Sequence, residues 1–152
     1  MSSPPSPVEL YFRGIQNSLS TNPLVINYSV RRRRVGDSEG FIVIDIDLIR
    51  SYRLTIMEYF TVSANVIRYR YHLMDNDNNP VIRWDNAPHH PDISTFPHHV
   101  HYWDSDGAER IEKAEQPEIN GIFDRIEEDW NLEDDQEDDT ENDKSDDIEE
   151  DT

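Results

Sequence analysis

The sequence predicts an α+β fold: a mainly antiparallel β-meander of about five to seven strands, flanked by an N-terminal and a C-terminal helix. Three observations predict it. Segments near each end repeat apolar residues at helical spacing. Between them lie several runs that alternate apolar and polar residues or are rich in β-formers. Those runs are separated by Gly, Asn, Asp and Pro clusters rather than by further helical patterns, so the strands follow one another as a meander. A sheet of this kind has one face to cover, and two amphipathic helices can cover it.

Residues 1–7 form a flexible, Pro-rich lead. From Val8 to Ser20, the residues Val8, Tyr11, Phe12, Ile15 and Leu19 follow helical spacing. Ser6 is an N-cap, Pro7 suits the first helical position and Glu9 favours the first turn. Gly14 weakens this helix by roughly 1 kcal/mol relative to alanine. Leu24 to Val35 is a strand ending in four arginines, followed by a turn over residues 36–40. Phe41 to Leu48 is a strand with Ile42, Ile44, Ile46 and Leu48 on one face and Val43, Asp45 and Asp47 on the other. Leu54 to Val62 is a third, holding Glu58 in an apolar and aromatic run. Val66 to Met74 is a fourth, with Arg68, Arg70 and His72 opposite Ile67, Tyr69, Tyr71 and Leu73. The turn from Asp75 to Pro80 leads into a fifth, Val81 to Asp85. Val100 to Trp103 and Glu109 to Ala114 are short strands around residues 104–107. Pro117 to Trp130 closes the domain as a helix, its stripe being Ile119, Ile122, Phe123, Ile126 and Trp130.

The domain expected from this pattern is 8–130. The last 22 residues, Asn131 to Thr152, hold 13 acids and one base, a net charge of −12. With no apolar residue except Leu132 and Ile148, they are expected to form a disordered acidic tail. The whole chain carries −19, so residues 1–130 carry −7. Within them, residues 1–83 hold 10 Arg against 8 Asp or Glu, which allows a basic face despite the low isoelectric point. Only two lysines accompany 12 arginines, and Asp outnumbers Glu by 19 to 14. Such a surface suits a halophile protein that must stay dissolved in concentrated salt; the plainer reading is a mesophile protein with an acidic tail. There is no cysteine, which excludes disulfides, thiolate zinc sites and thiol nucleophiles. The N-terminus lacks the pattern of a signal peptide and no stretch approaches a membrane span, so the expected location is the cytoplasm, with no membrane partner.

All six histidines fall between residues 72 and 101. Five lie in the stretch from Asp85 to His101, where each of two His-His pairs follows a proline: Pro88-His89-His90 and Pro97-His98-His99. Imidazole can carry a proton or bind a metal near neutral pH, and proline stiffens the loop that carries it. The segments Tyr69-Arg70-Tyr71-His72, Arg83-Trp84-Asp85-Asn86-Ala87-Pro88-His89-His90 and Thr95-Phe96-Pro97-His98-His99-Val100-His101 resemble the TumE family. That family is described as the toxin half of bacterial and archaeal toxin–antitoxin pairs. The resemblance runs from about Val8 to Trp130 and is specific over 69–101. It departs at Asp45 to Ser51, where the family carries a tighter turn, and in the acidic tail. It implies a type II toxin whose cognate antitoxin is a small helix-turn-helix type protein.

Metal-free cleavage of RNA needs a base near neutrality, an acid for the leaving oxygen and a cation for the developing phosphorane charge. His89, His90, His98 and His99 are the candidates for the first two roles. Arg83 is the cation, with Asp85 orienting an imidazole. Arg68, Arg70, Trp84, Asn86 and Phe96 are candidate substrate contacts, with Tyr102 and Trp103 as further stacking groups. No cofactor is needed for this chemistry. The alternative is a divalent metal: His99 and His101, two apart on a strand, with Asp85 or Glu58. Asp47 and Glu58 could also pair if they share a face. Arg31 to Arg34 alternate in direction, and a solvated strand end paired with Asp37 and Glu39 is the plainer reading. The competing class is a non-enzymatic metal-, nucleic-acid- or partner-binding module, and the plainest reading of the loop is a rigid surface structure with one histidine in the core.

Overall fold

A computed structural model describes residues 2–141. Two compact units make up the chain: residues 1–117, and a unit from residue 118 onward. The first holds α1 (Pro7–Thr21) and one sheet of seven strands. These are β1 (Val25–Val35), β2 (Glu39–Leu48), β3 (Arg53–Thr61), β4 (Asn65–Met74), β5 (Pro80–Asp85), β6 (His99–Trp103) and β7 (Glu109–Lys113). Each strand pairs antiparallel with the next, so the sheet order is the chain order. The α+β meander expected from the sequence is therefore the fold.

Ser6 caps α1, its side chain accepting from the Glu9 amide at 3.1 Å, and Pro7 occupies the first turn. The stripe Val8, Phe12, Ile15 and Leu19 is buried against the sheet face carrying Ile42, Ile44, Ile46, Leu48, Leu54 and Ile56. Tyr11 stacks on Phe60 with centroids 4.0 Å apart. Gly40 is where α1 meets β2 most closely: a Cβ there would stand 2.4 Å from Val8 Cγ1 and 2.8 Å from the Arg34 carbonyl oxygen. The turns follow their residue chemistry. Asp75 Oδ1 accepts from the amides of Asp77 and Asn79, and Asp104 Oδ1 from those of Asp106 and Ala108. Asn65 and Asn78 take the left-handed conformation that asparagine tolerates.

The closing helix, α2, spans Ile119–Glu141. Its residues Ile122, Phe123, Ile126 and Trp130 are buried, as their spacing predicts. It was expected to end at Trp130 but runs on to Glu141. Extending a helix is far easier than nucleating one, and glutamate is a good helix former. The remainder of the acidic tail, 142–152, lies outside the described residues. No helix among the described residues is long and apolar enough to cross a membrane.

Candidate functional site

Strand alternation and register decide which side chains meet on the sheet face opposite α1. One row across that face runs Arg32, Val43, Met57, Arg70, Asp85, His99, Lys113 through successive strand partners. The next runs Asp45, Thr55, His72, Arg83, His101, Ile111. On the same face, flanking the first row on its other side, a row runs Arg34, Phe41, Tyr59, Arg68. Asp85 and Arg83 on β5 thus lie directly beside His99 and His101 on β6.

Asp85 is the hub. It is only 3 % exposed. Its Oδ1 lies 3.0 Å from His99 Nε2 and accepts from the Ala87 amide at 3.0 Å. Its Oδ2 accepts from Arg83 Nε at 3.1 Å and lies 3.5 Å from His101 Nε2. His90, from the loop over 86–98, packs its ring on both strand histidines. The centroids are 4.8 Å apart for His90 and His99, 5.7 Å for His90 and His101, and 4.9 Å for His99 and His101. One nitrogen from each of the three rings lies within 4.8 Å of the others.

Each strand histidine is oriented from behind. His99 Nδ1 faces the Pro97 carbonyl at 2.9 Å, so it carries a proton and donates. His101 Nδ1 faces the Glu109 carboxylate, and its Nε2 lies 3.2 Å from Arg83 Nη2. Arginine can only donate, so His101 Nε2 presents a lone pair. Burial favours that neutral ring and lowers the His101 pKa; the Glu109 hydrogen bond opposes the shift and the Arg83 charge adds to it. Trp103 stacks on His101 at 5.6 Å, with the Arg83 guanidinium 5.5 Å from its ring centre. His72, beside Arg83, also has a lowered pKa, chiefly through burial and then through Arg83 and Arg70. Its Nε2 is buried without a hydrogen-bond partner among the described residues.

A groove of about 610 Å³ opens beside the cluster, lined by Met57, Arg68, Arg70, Asp85, His89 and Pro97 among others. Arg68, Arg70 and His89 are exposed. The loop that shapes it is pinned at both ends. Asn86 accepts from the Tyr69 amide and donates to the Ile67 carbonyl, continuing the β4 ladder with its side chain. The Thr95 hydroxyl donates to the His98 carbonyl and accepts from the Ala114 amide.

The two histidine doublets therefore split. His90 and His99 enter the cluster, whereas their neighbours do not. His89 lines the groove, and His98 takes the other side of the sheet edge, 2.9 Å from the Tyr69 hydroxyl. Trp84, expected as a base-stacking group, is a core residue, because alternation turns it away from Arg83 and Asp85. Asn86, expected as a substrate contact, spends its amide on the β4 backbone. Phe96 is 44 % exposed. Glu58 and Asp47 lie on opposite faces and form no pair. Glu58 is 1 % exposed, accepting from Tyr11 and Tyr71 beneath α1. Burial raises its pKa against the lowering effect of those two hydroxyls. Arg31 and Arg33 pair with Asp45 and Glu9, not with Asp37 and Glu39. His101 was foreseen only as a metal ligand, and the support from Glu109 was not foreseen at all.

The sequence profile of the family described as Toxin TumE matches residues 15–137, most of the chain. No curated protein and no solved structure matches it. The chain belongs to the TumE toxin family.

Proposed function

We propose that this member of the TumE toxin family acts on RNA, led along the sheet face opposite α1 to the histidine cluster, and is restrained by a cognate antitoxin of helix-turn-helix type. One observation carries the reading. Exposed Arg32, Arg34, Arg68 and Arg70 and half-buried Phe41 and Tyr59 occupy two adjoining rows, one of which runs on through Asp85 and His99. Guanidinium groups grip phosphate, and aromatic faces stack on bases without regard to sequence. Such a track suits a single strand.

Cleavage through the 2′-hydroxyl moves one proton off the attacking oxygen and delivers one to the leaving 5′-oxygen, giving a 2′,3′-cyclic phosphate. His89, exposed on the groove wall, exchanges one of these protons in this reading. His90, the half-buried ring of the cluster, exchanges the other. Arg70 and Arg83 offset the phosphorane charge, and buried Asp85, His99 and His101 fix the geometry behind them.

The test is induced expression with and without the neighbouring gene, together with RNA binding and cleavage by purified protein. Growth arrest relieved by the neighbour, and lost in folded His89→Ala and His90→Ala variants, is the expected result. Replacing Arg68 and Arg70 by alanine should weaken RNA binding and lower the salt dependence by about two counterions. Failure of the wild-type protein to bind single-stranded RNA, or full toxicity in both histidine variants, would end this reading.

A further inference from the structure

We propose that His90, His99 and His101, together with Asp85, form a binding site for a divalent first-row metal ion of the zinc type. The argument rests on which ring nitrogens are already committed. Histidines that ligate metals donate their remote N–H to a carbonyl or carboxylate, which fixes the tautomer and aims the other nitrogen at the ion. Both strand histidines are built this way. His99 gives its Nδ1 proton to the Pro97 carbonyl, and His101 turns its Nδ1 to the Glu109 carboxylate. Each then aims Nε2 at the same carboxylate, with Asp85 oxygens at 3.0 and 3.5 Å.

Those spacings match the edge of a tetrahedron around zinc, about 3.3 Å for ligands roughly 2.0–2.1 Å from the ion. Without an ion, His99 meets both partners only with a proton on each ring nitrogen, Nδ1–H donating to the Pro97 carbonyl and Nε2–H to Asp85 Oδ1. A metal ion between Nε2 and the carboxylate takes the place of that second proton. One nitrogen from each ring lies within 4.8 Å of the others, and His90, carried by a loop, is the ring that can move toward the strand pair. Three imidazoles and a carboxylate, with no thiolate, make a donor set for zinc and its first-row neighbours rather than for calcium or magnesium.

Arg83 is the competitor. Its guanidinium reaches both Asp85 Oδ2 and His101 Nε2, the two atoms an ion would take. The side chain is 26 % exposed and has solvent to turn into. Metal binding displaces it, so this arginine sets the affinity. With an ion bound, His90 would be a ligand and would no longer serve the second proton transfer assigned above. The metal site itself stands or falls without reference to RNA.

The experiment is titration of tag-free, chelator-treated full-length protein with Zn²⁺ by calorimetry, and with Co²⁺ by visible absorption, whose d–d bands report tetrahedral coordination. One equivalent should bind with those bands. His90→Ala, on the loop, and Glu109→Ala, behind His101, should each weaken binding about 10–100-fold while circular dichroism is unchanged. Arg83→Met should tighten it about tenfold or more by removing a cation from the ion's neighbourhood. Absence of stoichiometric binding, or binding that ignores both His90→Ala and Arg83→Met as ions held by the acidic C-terminal segment would, overturns the proposal.

Discussion

Replacing Asp85 by alanine should lower stability by about 3 kcal/mol in metal-free buffer, a figure that follows from its partners. His99, 2 % exposed, loses the acceptor facing Nε2, and an unmet buried polar group costs about 1–3 kcal/mol. The Ala87 amide loses the side chain that turns the chain into the histidine loop, worth about 0.5–1.5 kcal/mol. Arg83 loses its carboxylate but can turn outward, so its share is that of an exposed pair, at most about 1 kcal/mol. For a chain of this size, 3 kcal/mol corresponds to a fall in Tm of roughly 6–12 °C. Asp85→Asn keeps an oxygen for Ala87 and should cost about a third as much, or roughly 1 kcal/mol. Thermal unfolding followed by circular dichroism, with a chelator present, reads both. An alanine variant that melts within about 2 °C of wild type would refute the reasoning, since no hub of four contacts could be removed so cheaply.

Two further outcomes follow from charge. Burial raises the Glu58 carboxyl above its ordinary range, so the folded state holds its proton where the unfolded state has released it. That contribution is complete below the unfolded pKa, near 4.3, and is lost as pH rises through the folded value. Glu58→Gln should therefore flatten the decline in urea midpoint from about pH 4 upward, and parallel curves for the two proteins would show that the carboxyl is not desolvated. The net charge of −19 leads to a second expectation: Tm should climb with potassium chloride up to molar levels, well beyond the range in which ordinary screening saturates. A fold fully kept in dilute buffer would remove the halophile proposal.

Much of the sheet was legible because its periods are plain. Ile42, Ile44, Ile46 and Leu48 announce a buried face, and the alternation of Arg68, Arg70 and His72 against Tyr69, Tyr71 and Leu73 gives β4 its two sides. The helix end was not legible, since Glu and Asp past Trp130 lack the apolar stripe that marks a packed helix yet still propagate one. At the site, the loop was found by composition but its members were sorted by geometry. Adjacent residues on a strand point apart, which separates His98 from His99 and removes Trp84 from between Arg83 and Asp85. That rule could have been applied to the sequence directly. The meeting of β5 with β6 could not, because it requires a register across the loop over 86–98. Glu109 reaches His101 through β7, one strand further on, and carries no local signal at all.

The signal that would have found the cluster is two pairs of residues spaced by two, Arg83 with Asp85 and His99 with His101, on strands that turn out to be neighbours. Ladder hydrogen bonds hold such groups more firmly than a loop can, which suits ligands that must not move. His90 and His89 are carried by the loop, where adjustment is cheap. The division makes the two halves separable by experiment. Changes at His99 or Asp85 act on folding and on the site together, because both are buried in the ladder. Changes at His90 act on the site while the sheet stands, so His90 is the position at which loss of toxicity, or of metal, can be read without loss of structure.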